Sequence, residues 1–247
     1  MESANALEIP RSPAGTPRGQ RTALRVNDQR VGVVIGVVCA LLSLAGCSNS
    51  GAGGIPPPIV THILSNPRFD GDIEQLSATS YIVTQGMSPS VQSVLAGIDP
   101  TALTEFRAFL NFPLGGSGGV PINAFIDSAF LEVLVDNLIP GNGSVPIRIE
   151  LVAFQPPTLI GSDFDRSFLP PLGAVLVSGN VTAADIGRFV PVDVTSLMII
   201  AQQRALVDFQ LRIMEDLGPA SFTLVVIDDP ITADRPQRAP LLTVTYH

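Results

Sequence analysis

Apolar residues occupy every second position along six stretches of the chain. Successive side chains of a β-strand point to opposite sides, so this period predicts strands with one buried face. Polar residues such as Arg148, Glu150 and Arg212 alternate with the apolar ones and are expected on the exposed face. The apolar sets are Phe106, Ala108, Leu110 and Phe112; Ala129, Leu131, Val133 and Val135; Ile147, Ile149, Leu151 and Ala153; Val207, Phe209, Leu211 and Ile213; Phe222, Leu224 and Val226; and Leu242, Val244 and Tyr246.

Turn-forming segments separate these stretches. They read GGSGG at 115–119, PGNGS at 140–144, PP at 156–157 and DDP at 228–230. Many short strands at this spacing are typical of a two-sheet sandwich. The pattern therefore predicts an all-β, antiparallel β-sandwich domain over residues 76–247.

One short helix is predicted within this domain, at Ser196–Ala205. Leu197, Ile200 and Ala201 share one face of it, and Thr195 or Ser196 is the expected N-cap. Hydrophobic residues make up 46% of the chain and charged residues 15%, so there is enough apolar surface to bury around these elements.

The segment before Cys47 has the features of a secretory signal. Arg30 is followed by VGVVIGVVCALLSLAG, an apolar run of about 15 residues that ends in small residues. A membrane-spanning helix needs about 20 apolar residues, so the run is short for that role. An ordinary cleaved signal and an uncleaved anchor helix are the alternatives to the interpretation that follows.

Leu44-Ala45-Gly46-Cys47 resembles the lipobox of bacterial lipoproteins. The resemblance implies that residues 1–46 are removed and that Cys47 carries acyl chains, which would bind the protein to a lipid bilayer. Ser48 rather than Asp follows the cysteine, which by the sorting rule of such lipoproteins implies the outer membrane. Residues 47–75, rich in Gly and Pro at their start, are predicted to be a flexible tether.

The charge of the predicted mature protein disfavours nucleic acid as a partner. All fourteen basic residues are Arg, and five of them precede the apolar run together with three acids. Nine Arg and nineteen acids then remain after residue 46, for a net charge of −10. Such an acidic surface repels phosphate backbones.

Four blocks of sequence, in order, resemble the DNRLRE-type domain. They are RAFLNFPL at 107–114, IDSAFLEV at 126–133, Val192-Asp193-Val194-Thr195 followed by Leu197, and PLLTVTY at 240–246. The resemblance implies a jelly-roll β-sandwich, related to a family of carbohydrate-binding modules and mostly non-catalytic. The chain departs from the family in two places. The family usually has a Trp in the helix after D-V-T, near Ala201, and this chain has no Trp. The family has a Ser-Arg-Glu-like segment before the last strand, where residues 231–239 of this chain read ITADRPQRA.

Few residues are available for catalysis. Gly115-Gly116-Ser117-Gly118-Gly119 matches the G-x-S-x-G motif of hydrolases, but an extended Val120-Pro121 follows it where a helix is required. The histidines are His62 and His247, and the absence of Lys excludes a phosphate-binding P-loop. No enzyme is predicted; a glycosidase carboxylate pair is an alternative that the sequence does not locate.

Two Asp pairs are candidate calcium sites. Asp163 and Asp165 lie in the segment GSDFD, and Asp228 and Asp229 precede Pro230. Calcium accepts flexible sets of oxygen ligands. The alternative in both cases is a solvated turn closed by Asp side-chain hydrogen bonds. No other cofactor is predicted.

Aromatic side chains stack on the faces of sugar rings, and few of them are available for ligand binding in this chain. Tyr246 is predicted to lie in the core, as it alternates with Leu242 and Val244. Phe109 and Phe130 fall on the faces opposite to their core sets and are expected to pack. Arg107 is expected to form a structural salt bridge rather than to contact a ligand.

The sequence thus predicts a non-catalytic, lipid-anchored protein of the bacterial envelope. Its β-sandwich is expected to present a surface to a partner protein or to an extracellular polysaccharide. A true carbohydrate-binding module is the first alternative, and an enzyme that acts on polysaccharides is the second. No ligand-binding residues are assigned at this point.

Overall fold

A computed structural model describes residues 56–154, 158–216 and 222–247. Among these described residues, strands make up 48% and there are only two helices, so the predicted all-β fold is confirmed. The strands are β1 (Ile59–Leu64), β2 (Gly71–Ser77), β3 (Ser80–Gln85), β4 (Ser93–Ile98), β5 (Glu105–Pro113), β6 (Ile126–Ile139), β7 (Ser144–Val145), β8 (Ile147–Val152), β9 (Gly173–Leu176), β10 (Val181–Thr182), β11 (Arg188–Asp193), β12 (Asp208–Glu215), β13 (Leu224–Asp228) and β14 (Leu241–Tyr246). The helices are α1 (Thr195–Gln203) and α2 (Arg235–Arg238), and Gly161–Phe164 and Ala183–Asp185 form 3₁₀ turns.

Twelve strands form one curled antiparallel sheet, and β7 and β10 form a second, small one. The main path runs β1-β14-β6-β13-β4-β5-β12-β8-β9. Two long strands connect its parts. The first half of β6 pairs with β14 and β11 and its second half with β13. The strand β5 pairs with β4 and β12 and also with the β2–β3 hairpin through β2.

The predicted inward faces of β5, β6, β8, β12 and β14 line the main core. Leu110, Leu131, Leu151, Leu211 and Leu242 are each fully buried there. The helix α1 covers this core with Leu197 and Ala201, as its sequence predicts. The hydrophobic period therefore identified the main core correctly on these five strands.

A second, smaller cluster covers the opposite face of β5, β8 and β12. It is formed by Ile73, Phe109, Val152, Phe154, Leu159, Phe164 and Leu169. Phe109 packs edge-on against Phe154, with ring centroids 5.9 Å apart, so its predicted packing is confirmed. The polar residues Glu150 and Arg212, expected on an exposed face, are fully buried because this second layer covers them.

The predicted burial is wrong for Phe130, for the strand β13 and for three residues at strand ends. Phe130 stays 42% exposed, since it lies on the outer face of β6 between Thr243 and Asp193 of the neighbouring strands. In β13 the core-facing residues are Val225 and Ile227, because four consecutive apolar residues there fit either phase of the alternation. The remaining errors lie at strand ends, where Val207, Phe222 and Ala153 are exposed just outside β12, β13 and β8.

The domain begins earlier than predicted. Contacts define one unit over Pro56–His247, and β1 and β2 both fall within the predicted tether of residues 47–75. In β1 only Ile63 is buried, since it is an edge strand paired with β14 alone. Gly71 and Asp72 of β2 are buried without being apolar. Neither strand shows the hydrophobic alternation by which the other strands were recognised.

The predicted N-cap of α1 is also wrong. The cap position is Val194, which makes no side-chain cap bond. Asp193 Oδ1 instead accepts the Thr195 N–H at 2.9 Å, and the Thr195 hydroxyl accepts the Ala129 N–H at 2.9 Å. Asp193 and Thr195 of the D-V-T block therefore join the helix to β6.

Candidate functional site

A pocket of about 290 Å³ opens beside the second apolar cluster. The strands β2, β3 and β5 supply Gln75, Tyr81 and Arg107, and the 3₁₀ turn with the residues after it supplies the rest of the wall. We call it the Tyr81 pocket. Its lining residues are Gln75, Ala78, Tyr81, Arg107, Phe164, Asp165 and Arg166.

Two aromatic rings in tilted contact form the apolar wall of the Tyr81 pocket. The ring centroids of Tyr81 and Phe164 lie 5.5 Å apart at a tilt of 43°. The backbone of Gly161 passes close to Tyr81, and a Cβ there would lie 3.1 Å from its side chain. The Tyr81 hydroxyl is 3.4 Å from Gln75 Nε2, which donates to it. Tyr81 thus has a defined position with part of its surface accessible from the pocket.

The polar wall carries charges of both signs. Arg107 lies over the Phe164 ring, 3.9 Å from its centroid, and forms a salt bridge of 2.7 Å with Glu105. This confirms the salt bridge expected for Arg107. A hydrogen bond from the Ser167 backbone N–H is the main cause that lowers the pKa of Asp165, so this carboxylate stays ionised at neutral pH.

A buried ion pair supports the turn that carries Phe164 and Asp165. Arg212 and Glu150 are fully buried, with Arg212 Nη2 2.6 Å from Glu150 Oε2. Arg212 also donates to the carbonyl oxygens of Asp163 at 2.9 Å and Leu169 at 3.1 Å. Arg166 reaches Glu150 Oε1 at 3.0 Å from the pocket side. Charge-assisted hydrogen bonds from the buried Arg212 therefore hold the turn that forms this wall of the pocket.

A second depression, of about 460 Å³, adjoins the Tyr81 pocket. The two share Gln75 and Ala78 at the end of β2. Leu76 and Leu103 line the second depression, and both side chains are exposed. Together the two form one groove along the β2–β5 side of the domain.

The candidate calcium ligands Asp163 and Asp165 lie in and next to the 3₁₀ turn. Asp163 Oδ2 accepts the Ile160 N–H at 2.9 Å, and Asp165 Oδ1 accepts the Ser167 N–H at 2.7 Å. Burial raises the pKa of Asp163. Within the part of the chain that the structure describes, no three His, Cys, Asp or Glu residues come together as a metal site. Calcium at these residues stays a prediction.

The second Asp pair contacts arginines of α2. Asp228 forms a salt bridge with Arg238, and Asp229 Oδ1 lies 2.5 Å from Arg235 Nη1. Asp229 is also close to Asp70, which is fully buried, and burial raises the pKa of both carboxyls. This pair belongs to a buried polar cluster rather than to an open site.

The remaining candidates are distributed over other parts of the molecule. Ser117 lines an apolar pocket of about 380 Å³ with the rest of the glycine loop, and Thr61 donates to the Gly118 carbonyl oxygen at 3.1 Å. His62 hydrogen-bonds Thr243 at 3.0 Å, and His247 Nε2 lies 2.9 Å from Asp127. Cys47 lies outside the described residues. Among the helices that the structure describes, none has the length and apolar character needed to cross a membrane.

Sequence reasoning did not single out Gln75 or Arg166 as pocket residues. Gln75 lies in β2, a strand without alternation, and Arg166 follows a 3₁₀ turn, so neither belongs to a recognisable sequence motif. Gln75 joins Tyr81 and Arg107 through the pairing of β2 with β3 and β5, and Arg166 joins them through the segment after the 3₁₀ turn, where it pairs with Glu150. In comparisons with known proteins, no family model and no curated protein sequence matches the chain. The resemblance to the DNRLRE-type domain therefore stays a prediction based on its four sequence blocks.

Proposed function

We propose that this chain is a non-catalytic, lipid-anchored protein of the bacterial envelope that binds an extracellular glycan in the Tyr81 pocket. The observation that carries the proposal is the composition of that pocket. It combines an aromatic ring with an amide, two guanidinium groups and an ionised carboxylate. The anchor rests on the lipobox-like Leu44-Ala45-Gly46-Cys47.

The pocket chemistry suits a neutral or weakly acidic sugar. Each sugar hydroxyl donates and accepts, and the pocket supplies both functions: the Gln75 amide and Arg166 donate, and Asp165 accepts. The apolar face of a sugar ring stacks on aromatic side chains, for which Tyr81 is available. The adjoining depression gives a neighbouring sugar unit room beside Gln75. These features favour a polysaccharide over a flat protein partner.

Affinity electrophoresis of the lipidated chain in detergent, in gels that contain acidic or neutral polysaccharides, tests glycan binding. We expect Tyr81→Ala to weaken the retardation about two- to tenfold, because an aromatic stacking contact is worth about 0.5–1.5 kcal/mol and about 1.4 kcal/mol is tenfold in affinity. The matched control is Phe130→Ala, which removes an exposed aromatic ring from the outer face of β6, away from the pocket. Equal retardation of Tyr81→Ala and the unmodified chain would exclude this pocket, and no retardation by any polysaccharide would exclude glycan binding.

Metabolic labelling with palmitate tests the anchor separately. The label is expected on the unmodified chain and not on Cys47→Ala, which also leaves the membrane fraction. Unchanged membrane retention of Cys47→Ala would contradict the lipoprotein assignment.

A further inference from the structure

Five exposed apolar side chains surround the point where the chain enters the domain. Their exposed fractions range from 52% for Ile59 to 71% for Phe125. We call this surface the entry patch. It consists of Ile59, Val60, Ile122, Phe125 and Val207.

Strand pairing and one shared pocket bring these residues together. Ile59 pairs with Tyr246 at the start of β1. Tyr246 lines the same pocket as Ile122 and Val207. The backbone of Phe125 exchanges two hydrogen bonds with His247, the residue after Tyr246. These contacts place Ile59, Ile122, Phe125 and Val207 around the C-terminal end of β14. Val60 follows Ile59 along the edge strand β1, with its side chain on the other face of the strand.

The start of β1, where this patch lies, is close in sequence to the proposed anchor. Only eleven residues separate Cys47 from Ile59, and even fully extended they span at most roughly 40 Å. A bilayer that holds Cys47 is thus always within reach of the start of β1. A tethered surface meets its target at a high effective concentration, so a weak apolar contact is enough to form.

We propose that the entry patch lies in the interface of the bilayer to which Cys47 is anchored, an inference that rests on the proposed lipidation. Surfaces of this kind bury apolar side chains at the boundary of headgroups and acyl chains. The net charge of −10 after residue 46 makes electrostatic attraction to anionic lipids a poor source of affinity. Contact is accordingly driven by apolar burial, and salt has little effect on it.

The arrangement leaves the Tyr81 pocket free. Arg107 lies near the start of β5, whereas Pro113 at its end pairs with Asp208, next to Val207 of the patch. Six residues of extended strand separate the two positions by about 20 Å. When the patch contacts the bilayer, the glycan pocket lies at the distal end of the strand.

Site-specific fluorescence of the lipidated full-length product in vesicles tests this inference. Lipidation blocks Cys47, and Cys39 lies in the removed segment, so an introduced cysteine is the free thiol for a polarity-sensitive maleimide dye. Val207→Cys places the dye in the patch. Leu176→Cys is the matched control. Leu176 is an exposed aliphatic residue outside the patch, and it pairs with Arg148 near the start of β8.

We expect brominated lipids to quench the dye at position 207 at least twofold more than the dye at position 176. Adding Ile122→Ser and Phe125→Ser to Val207→Cys should abolish the difference while flotation with vesicles and palmitate on Cys47 persist. Equal quenching at both positions in floating protein overturns the patch inference alone. A shifted emission without lipid quenching shows that protein covers the patch, whether a second copy or a partner, and also overturns it. Loss of both flotation and palmitate overturns the anchor and the inference together.

Discussion

The domain buries charged side chains in two regions, which differ in how the buried charges are paired. Beneath the Tyr81 pocket, the fully buried Arg212 and Glu150 form a matched pair. Between β13 and the segment before β2, the two fully buried carboxyls of Asp70 and Asp229 share one arginine, Arg235. In the first region charges are equal in number, and in the second like charges are in excess.

The difference appears in the hydrogen bonds and in the pKa values. Arg212 makes two hydrogen bonds to Glu150 and two to backbone carbonyls. Among the described residues, the Oδ2 atoms of Asp70 and Asp229 have no hydrogen-bond partner. Glu150 Oε1 also lacks a hydrogen bond, but a second arginine, Arg166, lies 3.0 Å from it. Burial, and then repulsion by Asp229, raise the pKa of Asp70 well above its usual range. A protonated Asp70 carboxyl would be a hydrogen-bond donor, whereas two ionised carboxylates can only accept hydrogen bonds.

The largest effect is expected from Arg212→Met. It leaves Glu150 buried with only the half-exposed Arg166, and breaking a buried pair in this way costs about 3–5 kcal/mol of unfolding free energy. Urea unfolding at pH 7 measures the loss. The double variant Arg212→Met/Glu150→Leu should recover most of it, because no buried charge remains. A loss below about 1 kcal/mol for the single variant would show that the pair is not needed to satisfy Glu150.

Arg235→Met is expected to destabilise the second region by about 2–3 kcal/mol at pH 7, the scale of hydrogen bonds to charged groups. It removes the guanidinium that contacts Asp229 at 2.5 Å and Ser65 Oγ at 3.1 Å. The loss should shrink at pH 5, where the carboxyls bind protons more readily. Unfolding curves at both pH values check this, and equal losses would contradict the proposed role of the carboxylate charges.

Asp70→Asn should make the domain more stable at pH 8, by on the order of 1 kcal/mol. The raised pKa means that the folded state binds the proton more tightly than the unfolded chain. The stability from this group is complete below its unfolded pKa of about 3.9 and is lost as the pH rises through the raised value. Asn keeps an acceptor for the Asn111 N–H, which Asp70 accepts at 2.7 Å.

The check is the slope of unfolding free energy between pH 4 and pH 8, compared between Asp70→Asn and the unmodified chain. Burial raises the pKa of Asp72 to about 7, so Asp72 adds to the downward slope in both proteins. Only the difference between the two curves reports on Asp70. Parallel curves would mean that Asp70 titrates normally in the folded state.

The smallest effect is expected from Arg238→Ala, at most about 1 kcal/mol. Its side chain is 43% exposed, and its pairs with Asp136 and Asp234 are 3.4 Å and 3.9 Å long. Its short salt bridge with the mostly buried Asp228 is made by an arginine that is itself largely in water. Water competes for such groups, so their contribution is small and should fall further in 1 M salt. A loss as large as that of Arg235→Met would show that exposure does not separate the two arginines.

The strands with regular alternation could be predicted from the sequence because their inward residues share a single core. The strand β6 illustrates this: Ala129, Leu131, Val133 and Val135 alternate and are all buried. The alternation changes phase beyond Val135, where a bulge shifts the pairing with β13. That shift depends on the neighbouring strand and leaves no signal in the local sequence.

The candidate site could be predicted only in part. The salt bridge of Arg107 and the packing of Phe109 followed from their positions on β5. The pocket itself depends on four separate segments that meet through strand pairing and the 3₁₀ turn. A single sequence contains no local pattern that reports such a meeting, so Gln75 and Arg166 could not be found in advance.

Period-two hydrophobicity was sufficient to specify strands, the main core and an all-β class, because side-chain alternation is a local property of extended backbone. Whether the polar residues of these strands are buried or exposed depended on the tertiary structure. Glu150 and Arg212 read as surface residues along the chain, yet the β2–β3 hairpin and the segment around Phe164 cover them. Burial on the second face of a strand depends on which distant segments pack there, and that is a property of the packed molecule rather than of any stretch of residues.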